Sequence, residues 1–170
     1  MAAKPKTKEK ITRQGRRILG IFKRIDRNKP HVKVGIQESE FKKGRKGDTT
    51  NGLVALVNEF GTRRAGKNKN VVIPQRSFIR STAVEKRSDW LKLSDRLRLK
   101  VLTRNMSIKQ ALSLQGLRMK ADIQAKIVSL DKPPNKESTI KSKTRLKQKG
   151  NPLIATSDLL KSIKHLVVKA

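Results

Sequence analysis

Asn51-Gly52-Leu53-Val54-Ala55-Leu56-Val57-Asn58-Glu59-Phe60-Gly61-Thr62 is followed, after a basic loop, by Val71-Val72-Ile73-Pro74-Gln75-Arg76-Ser77-Phe78-Ile79-Arg80-Ser81-Thr82. In the first stretch Leu53, Val54, Leu56, Val57 and Phe60 recur at helical spacing, which predicts a short amphipathic helix. Asn51 is its candidate N-cap, and Gly61 stands where a left-handed C-cap belongs. In the second, a short apolar run at 71–73 is stopped by Pro74. A long helix is then expected from near Ser77, capped by the Ser77 hydroxyl, to about Arg104. The unit reads helix, basic loop over Arg63 to Lys69, proline turn, long helix.

Upstream of this unit, Val32, Val34 and Ile36 alternate, so residues 31–37 predict a half-buried strand. Before that strand, Ile11, Ile18, Leu19, Phe22 and Ile25 can share one helix face, with Arg13, Arg16, Arg17, Lys23 and Arg24 over much of the rest. Gly15 and Gly20 each weaken such a helix by about 1 kcal/mol relative to alanine. Asn28 and Pro30 end it. Residues 1–10 read as a basic disordered arm, ahead of a single domain over 11–170. Residues 38–47 read as a charged, glycine-punctuated loop.

Downstream, Trp90, Leu93, Leu97 and Val101 mark the buried face of the long helix. Asn105 interrupts it, and Ser107 with Gln110 predicts a capping box for the next helix. Ile108, Leu112, Met119, Ile123, Ile127 and Leu130 form that helix's face, with Gly116 as a weak point. Pro133 and Pro134 stop it. The basic stretch that follows holds at most a helical turn near 139–143. Thr156 is the candidate N-cap of a short helix through Leu159, Leu160 and Ser162. A last strand over 165–169 pairs with the strand at 32–36. The fold class expected is α+β: a small antiparallel sheet packed by a pair of long antiparallel helices, with flexible basic loops and an N-terminal arm.

Composition narrows the function classes. The 170 residues carry 43 Lys and Arg against 13 Asp and Glu, a net charge of +30. Such a chain is drawn to polyanions, and its self-repulsion opposes compaction. Only 3% of residues are aromatic, so the core must come from Leu, Ile and Val. With no cysteine there is no disulfide or thiolate chemistry. No apolar run of signal-peptide or membrane-span length is present, so no membrane association is expected.

The two opening stretches also carry a resemblance. Asn58-Glu59-Phe60-Gly61-Thr62, then Ile73-Pro74-x-Arg76-x-Phe78-Ile79-Arg80, resemble the pairing in tailed-phage tail-completion and virion morphogenesis proteins, the head–tail joining components of the neck. Pro152-Leu153-Ile154-Ala155-Thr156-Ser157-x-Leu159-x-x-Ser162-Ile163 is similar to that family's C-terminal motif, with Ser157 where the motif has glycine. The resemblance implies a structural virion protein: a tail-completion or tail-terminator component, forming a ring, probably of six copies, between tail tube and connector. It implies a place in the virion neck, and in the host cytoplasm during assembly. The interface candidates it implies are Glu59, Phe60, Gly61, Thr62, Pro74, Arg76, Phe78, Arg80, Thr156, Leu159 and Ser162. Of these, Arg76 and Arg80 are the expected partner contacts. Their bland alternative is capping and packing within the subunit.

No catalytic residue, metal site or cofactor is expected. Glu59 has no paired carboxylate, histidine or nucleophile at useful spacing, and a structural role near Gly61 is the better account of it. His31 and His165 are the only histidines, so no metal spacing exists. The Lys42–Gly47 run lacks the Walker pattern. The rival to a neck protein is a basic nucleic-acid binder of ribosomal or nucleoid type. Charge and loops favour it, while zinc-finger, helix-turn-helix and aromatic-strand signatures are missing. Non-specific contact with DNA in the channel is compatible with both.

Overall fold

The structure is a computed structural model that describes residues 12–42, 49–66, 68–145, 153 and 157–169. In order, the described elements are α1 (Arg13–Asn28), β1 (His31–Ile36), α2 (Ser39–Lys42), α3 (Asn51–Phe60), β2 (Thr62–Ala65), β3 (Val71–Ile73), α4 (Ile79–Glu85), α5 (Arg87–Leu102), α6 (Ile108–Ser129), α7 (Glu137–Arg145), α8 (Asp158–Ser162) and β4 (Ile163–Val168). The fold is α+β, with far more helix than strand.

β1 and β4 form a two-stranded antiparallel sheet, in register from His31 opposite Val168 to Ile36 opposite Ile163. Alternation in both segments puts one side of this ribbon against α6, which packs on both strands. The core gathers where α3, α6, α8 and β4 meet: Ala55, Phe78, Ile123, Ile127, Leu153, Leu159 and Ile163 are buried, with Val34, Ile36, Ile79, Leu130 and Leu160 packed around them. α4 and α5 lie on α6. At their junction Lys126 of α6 pairs with Glu85 at 2.6 Å, and the Trp90 indole donates to Asp122 at 2.7 Å. Trp90 is thus held within the fold by its polar edge.

Several expectations need correction. The cap of α3 is Thr50, whose hydroxyl accepts from the Leu53 amide; Asn51 instead donates to Glu40. Gly61 has φ 73° and ψ 168°, a positive φ outside the left-handed helical region. A Cβ there would lie 2.9 Å from the Gln75 backbone nitrogen, so close backbone approach is what demands glycine. The expected basic loop is in part a hairpin: Thr62 faces Ile73 and Ala65 faces Val71 across β2 and β3. The single long helix from Ser77 is two helices, broken at Lys86.

Gly116 is not a weak point of α6. A Cβ on it would sit 2.7 Å from Val32 and 3.0 Å from His165, so glycine lets the helix backbone press onto the sheet. The capping box at Ser107 and Gln110 forms as expected. The turn expected at 139–143 belongs to the longer α7. Within the loop expected over 38–47, residues 39–42 are helical, and 43–48 lie outside the described residues. The arm at 1–10 and the proposed cap Thr156 also lie outside them.

Candidate functional site

Helix α3 ends on Glu59, and the chain returns through the hairpin and Pro74 to start α4 beside it. Glu59 is buried. One of its carboxylate oxygens accepts from the Phe78 and Ile79 amides at 2.8 and 3.0 Å. The other accepts from the Ser77 hydroxyl at 2.7 Å, the Arg80 amide at 3.0 Å and Arg80 Nε at 3.1 Å. A single carboxylate therefore satisfies the free amides that open α4, the task assigned by sequence to Ser77. Ser77 is instead a donor to that carboxylate, and α4 has no side-chain cap of its own at Phe78.

The arrangement is reciprocal. Arg80 Nη2 donates to the Glu59 carbonyl at 2.9 Å, placing a cation on the last turn of α3 while the anion of α3 sits at the first turn of α4. Both charges oppose the helix dipoles they face. Burial pushes the Glu59 carboxyl up, but the amides of Ile79 and Arg80, the Ser77 hydroxyl and the Phe78 amide outweigh it and hold the group below the usual carboxylate range.

Arg76 does a different job. It is buried, and its Nε donates to the Pro133 carbonyl at 2.7 Å. Nη2 donates to the Pro134 carbonyl at 2.9 Å and to Asn135 Oδ1 at 3.3 Å, and Nη1 to Asn58 Oδ1 at 3.4 Å. The Arg76 amide also donates to the Asn58 carbonyl at 2.7 Å. The guanidinium thus fastens the turn after α6 to the end of α3, and burial pushes its pKa down. Pairing Arg76 with Arg80 as outward contacts needs correction: Arg76 faces the turn that it clamps, and Arg80 alone is half exposed.

The remaining candidates divide cleanly. Phe78, Leu159 and Ser162 are buried in or beside the core, with the Ser162 hydroxyl donating to the Leu159 carbonyl at 2.7 Å. Pro74 is half-buried in the turn before Arg76, and the Thr62 hydroxyl accepts from the Arg64 amide. Phe60 is exposed, and the Arg80 guanidinium stacks 4.3 Å from its ring centre. Phe60 and Arg80 form the outward face of the joint.

One carboxylate escaped the sequence reading. Glu40 on α2 is buried, accepts from Asn51, and pairs with Lys164 of β4 at 2.7 Å. Its main charged partner lies 124 positions away in sequence, and no local pattern signals such a bridge.

Among the described residues no three His, Cys, Asp or Glu side chains gather as metal ligands, and no helix is long and apolar enough to cross a membrane. Set against protein-family models, curated proteins and solved structures, the chain matches none of them.

Proposed function

We propose that this chain is a structural subunit of a tailed-phage neck, a ring-forming tail-completion or tail-terminator component joining the tail to the head connector. The observation that carries this is the joint itself. The stretches that resemble the family, far apart in sequence, meet in one place. Glu59 caps the helix that begins at 79, Arg76 returns to Asn58, and Leu159 and Ile163 share a core with Phe78. Ser157, where the family motif has glycine, has φ 59°, a left-handed conformation that favours glycine.

In this proposal the small sheet, packed by α5 and α6 as a pair of long antiparallel helices, is the rigid body of each subunit. Phe41, Leu53, Leu56, Phe60 and Leu166 are exposed apolar side chains. All but Leu53 line an open groove of about 660 Å³ beside β1, α2 and α3. A surface of this kind suits contact with a neighbouring subunit. The ring is a hexamer seated at the head-proximal end of the tail tube, assembled in the host cytoplasm and retained in the virion. No catalysis or cofactor is part of this role.

A net charge of +30 makes like subunits repel, so rings form less readily at low salt unless an anionic partner is present. The test is the solution mass at two salt concentrations with negative-stain images of the same sample. Uniform closed rings free of nucleic acid are expected, more abundant at high salt. The second reading, a ribosomal or nucleoid-type nucleic-acid binder, is favoured by the charge alone; a monomer at every salt concentration that binds duplex steeply with salt would replace the neck assignment by it.

A further inference from the structure

Helix α1 contributes no buried residue. At 100° per residue its side chains still segregate sharply. Ile18, Ile21, Phe22 and Ile25 fall on one side, and Arg13, Arg16, Arg17, Lys23, Arg24 and Arg27 on the other. Ile21, Phe22 and Ile25 line an apolar groove with Leu97, Val101 and Leu112 of α5 and α6. The greasy side is therefore turned toward the body of the protein. All six cations are exposed, and none forms an ion pair with another described residue.

Gly20 lies at the centre of the cationic face. Its neighbours four and three residues back are Arg16 and Arg17, and those three and four ahead are Lys23 and Arg24. Nothing lies within 4 Å of a Cβ built on Gly20, so no packing inside the chain requires a glycine there. What the glycine provides is a notch where a ligand atom can reach the helix backbone between four cations.

We infer that this face of α1 binds the phosphate backbone of a nucleic-acid duplex, with a phosphate seated over Gly20. Arg13 to Arg27 spans about 21 Å at 1.5 Å per residue, or about six phosphates of one strand at 3.4 Å each. Five of the six cations are arginines, whose planar fork grips phosphate through two bonds. The face carries no apolar side chain, and a protein partner would find no hydrophobic core to dock against. An anionic membrane would need the opposite, apolar side, which is turned toward α5 and α6. The inference is separate from the neck proposal: a chain that forms rings yet binds no duplex loses the former and keeps the latter.

The test is duplex binding by the full chain over a salt series, read as the slope of log K against log salt. Arg16→Gln, Arg17→Gln, Lys23→Gln and Arg24→Gln together should reduce the magnitude of that slope by about three to four, near 0.9 per cation lost. A charge-matched control, Arg87→Gln, Lys92→Gln, Arg96→Gln and Lys100→Gln on the exposed side of α5, should reduce it by less than about one. Equal losses in the two variants overturn the inference. Gly20→Gln keeps every charge and should weaken binding several-fold at fixed salt, and unchanged affinity likewise overturns the seat. Vesicles containing phosphatidylserine separate the sources of phosphate: if the α1 variant loses vesicle binding while its duplex slope stays as in the parent, the face serves a membrane and the inference fails.

Discussion

Glu59 holds together two helices that the chain delivers from opposite directions. Its removal strands buried amides at the start of α4 and leaves Arg80 without its anion. Glu59→Ala should cost about 3 kcal/mol in denaturant unfolding. The pH dependence has a definite sign. The folded-state pKa lies below that of the unfolded chain, so the stabilisation is complete above the unfolded value, about 4.3. It drains as pH falls through the folded value and is gone below both. Glu59→Gln should flatten that part of the stability profile, and an unaltered acid limb would remove the ionised cap from the account. Arg76→Ala should also cost about 3 kcal/mol, and Arg76→Lys should rescue little, because one ammonium cannot reach carbonyls and amide oxygens arrayed around a fork. Arg80 is half exposed, so Arg80→Ala should cost about 1 kcal/mol or less after solvent screening. At this scale sequence showed that Glu59 was structural but not what it capped. The spacing 59 to 77–80 has no periodic signature; it exists only once the hairpin has turned the chain back.

Glycine separates two helices that look alike on paper. Gly20 and Gly116 both sit inside helical patterns, and both were read as liabilities. Gly20→Ala meets open space and should raise the thermal stability of α1, by up to about 1 kcal/mol. Gly116→Ala drives a methyl into Val32 and His165 and should cost about 1–3 kcal/mol. Thermal melts followed by circular dichroism would read both, and two shifts of the same direction would contradict this packing of α6 on the sheet. The elements themselves were largely legible: a period of two gave β1 and its β4 partner, and a period near 3.6 gave α1, α3 and α6. The break at Lys86 was not. Glu85, Lys86 and Arg87 are all helix formers, but Glu85 and Trp90 are fastened to Lys126 and Asp122, one turn apart on α6. Those long-range bonds override local propensity. The β2–β3 hairpin was missed for a related reason. Arg63 and Arg64 are exposed strand residues on a charged ribbon, where alternation of apolar and polar residues is absent.

For the molecule as a whole, charge and topology pull in different directions. A net +30 on 170 residues sets every surface cation against its neighbours, and the described ion pairs are mostly exposed and weak. The melting temperature of the unassembled chain should therefore climb as sodium chloride is raised through the range where the screening length shrinks from about 10 to 3 Å. A flat response would mean that the burial around Phe78 and Ile127 outweighs the repulsion.

The pairing of β1 with β4 also governs how the protein is born. Every partner of residues 31–36 lies in 163–168, at the far end of the chain. On a ribosome adding about 5–20 residues per second, the first strand waits roughly 7–26 s for the second to be made. Through that interval Gly116 of α6 has only half its floor, and the fully buried Ile163 does not yet exist. A nascent chain stalled after Ser162 would carry nearly all of its helices and still be open to protease. Release of the last strand is the event that shuts the molecule.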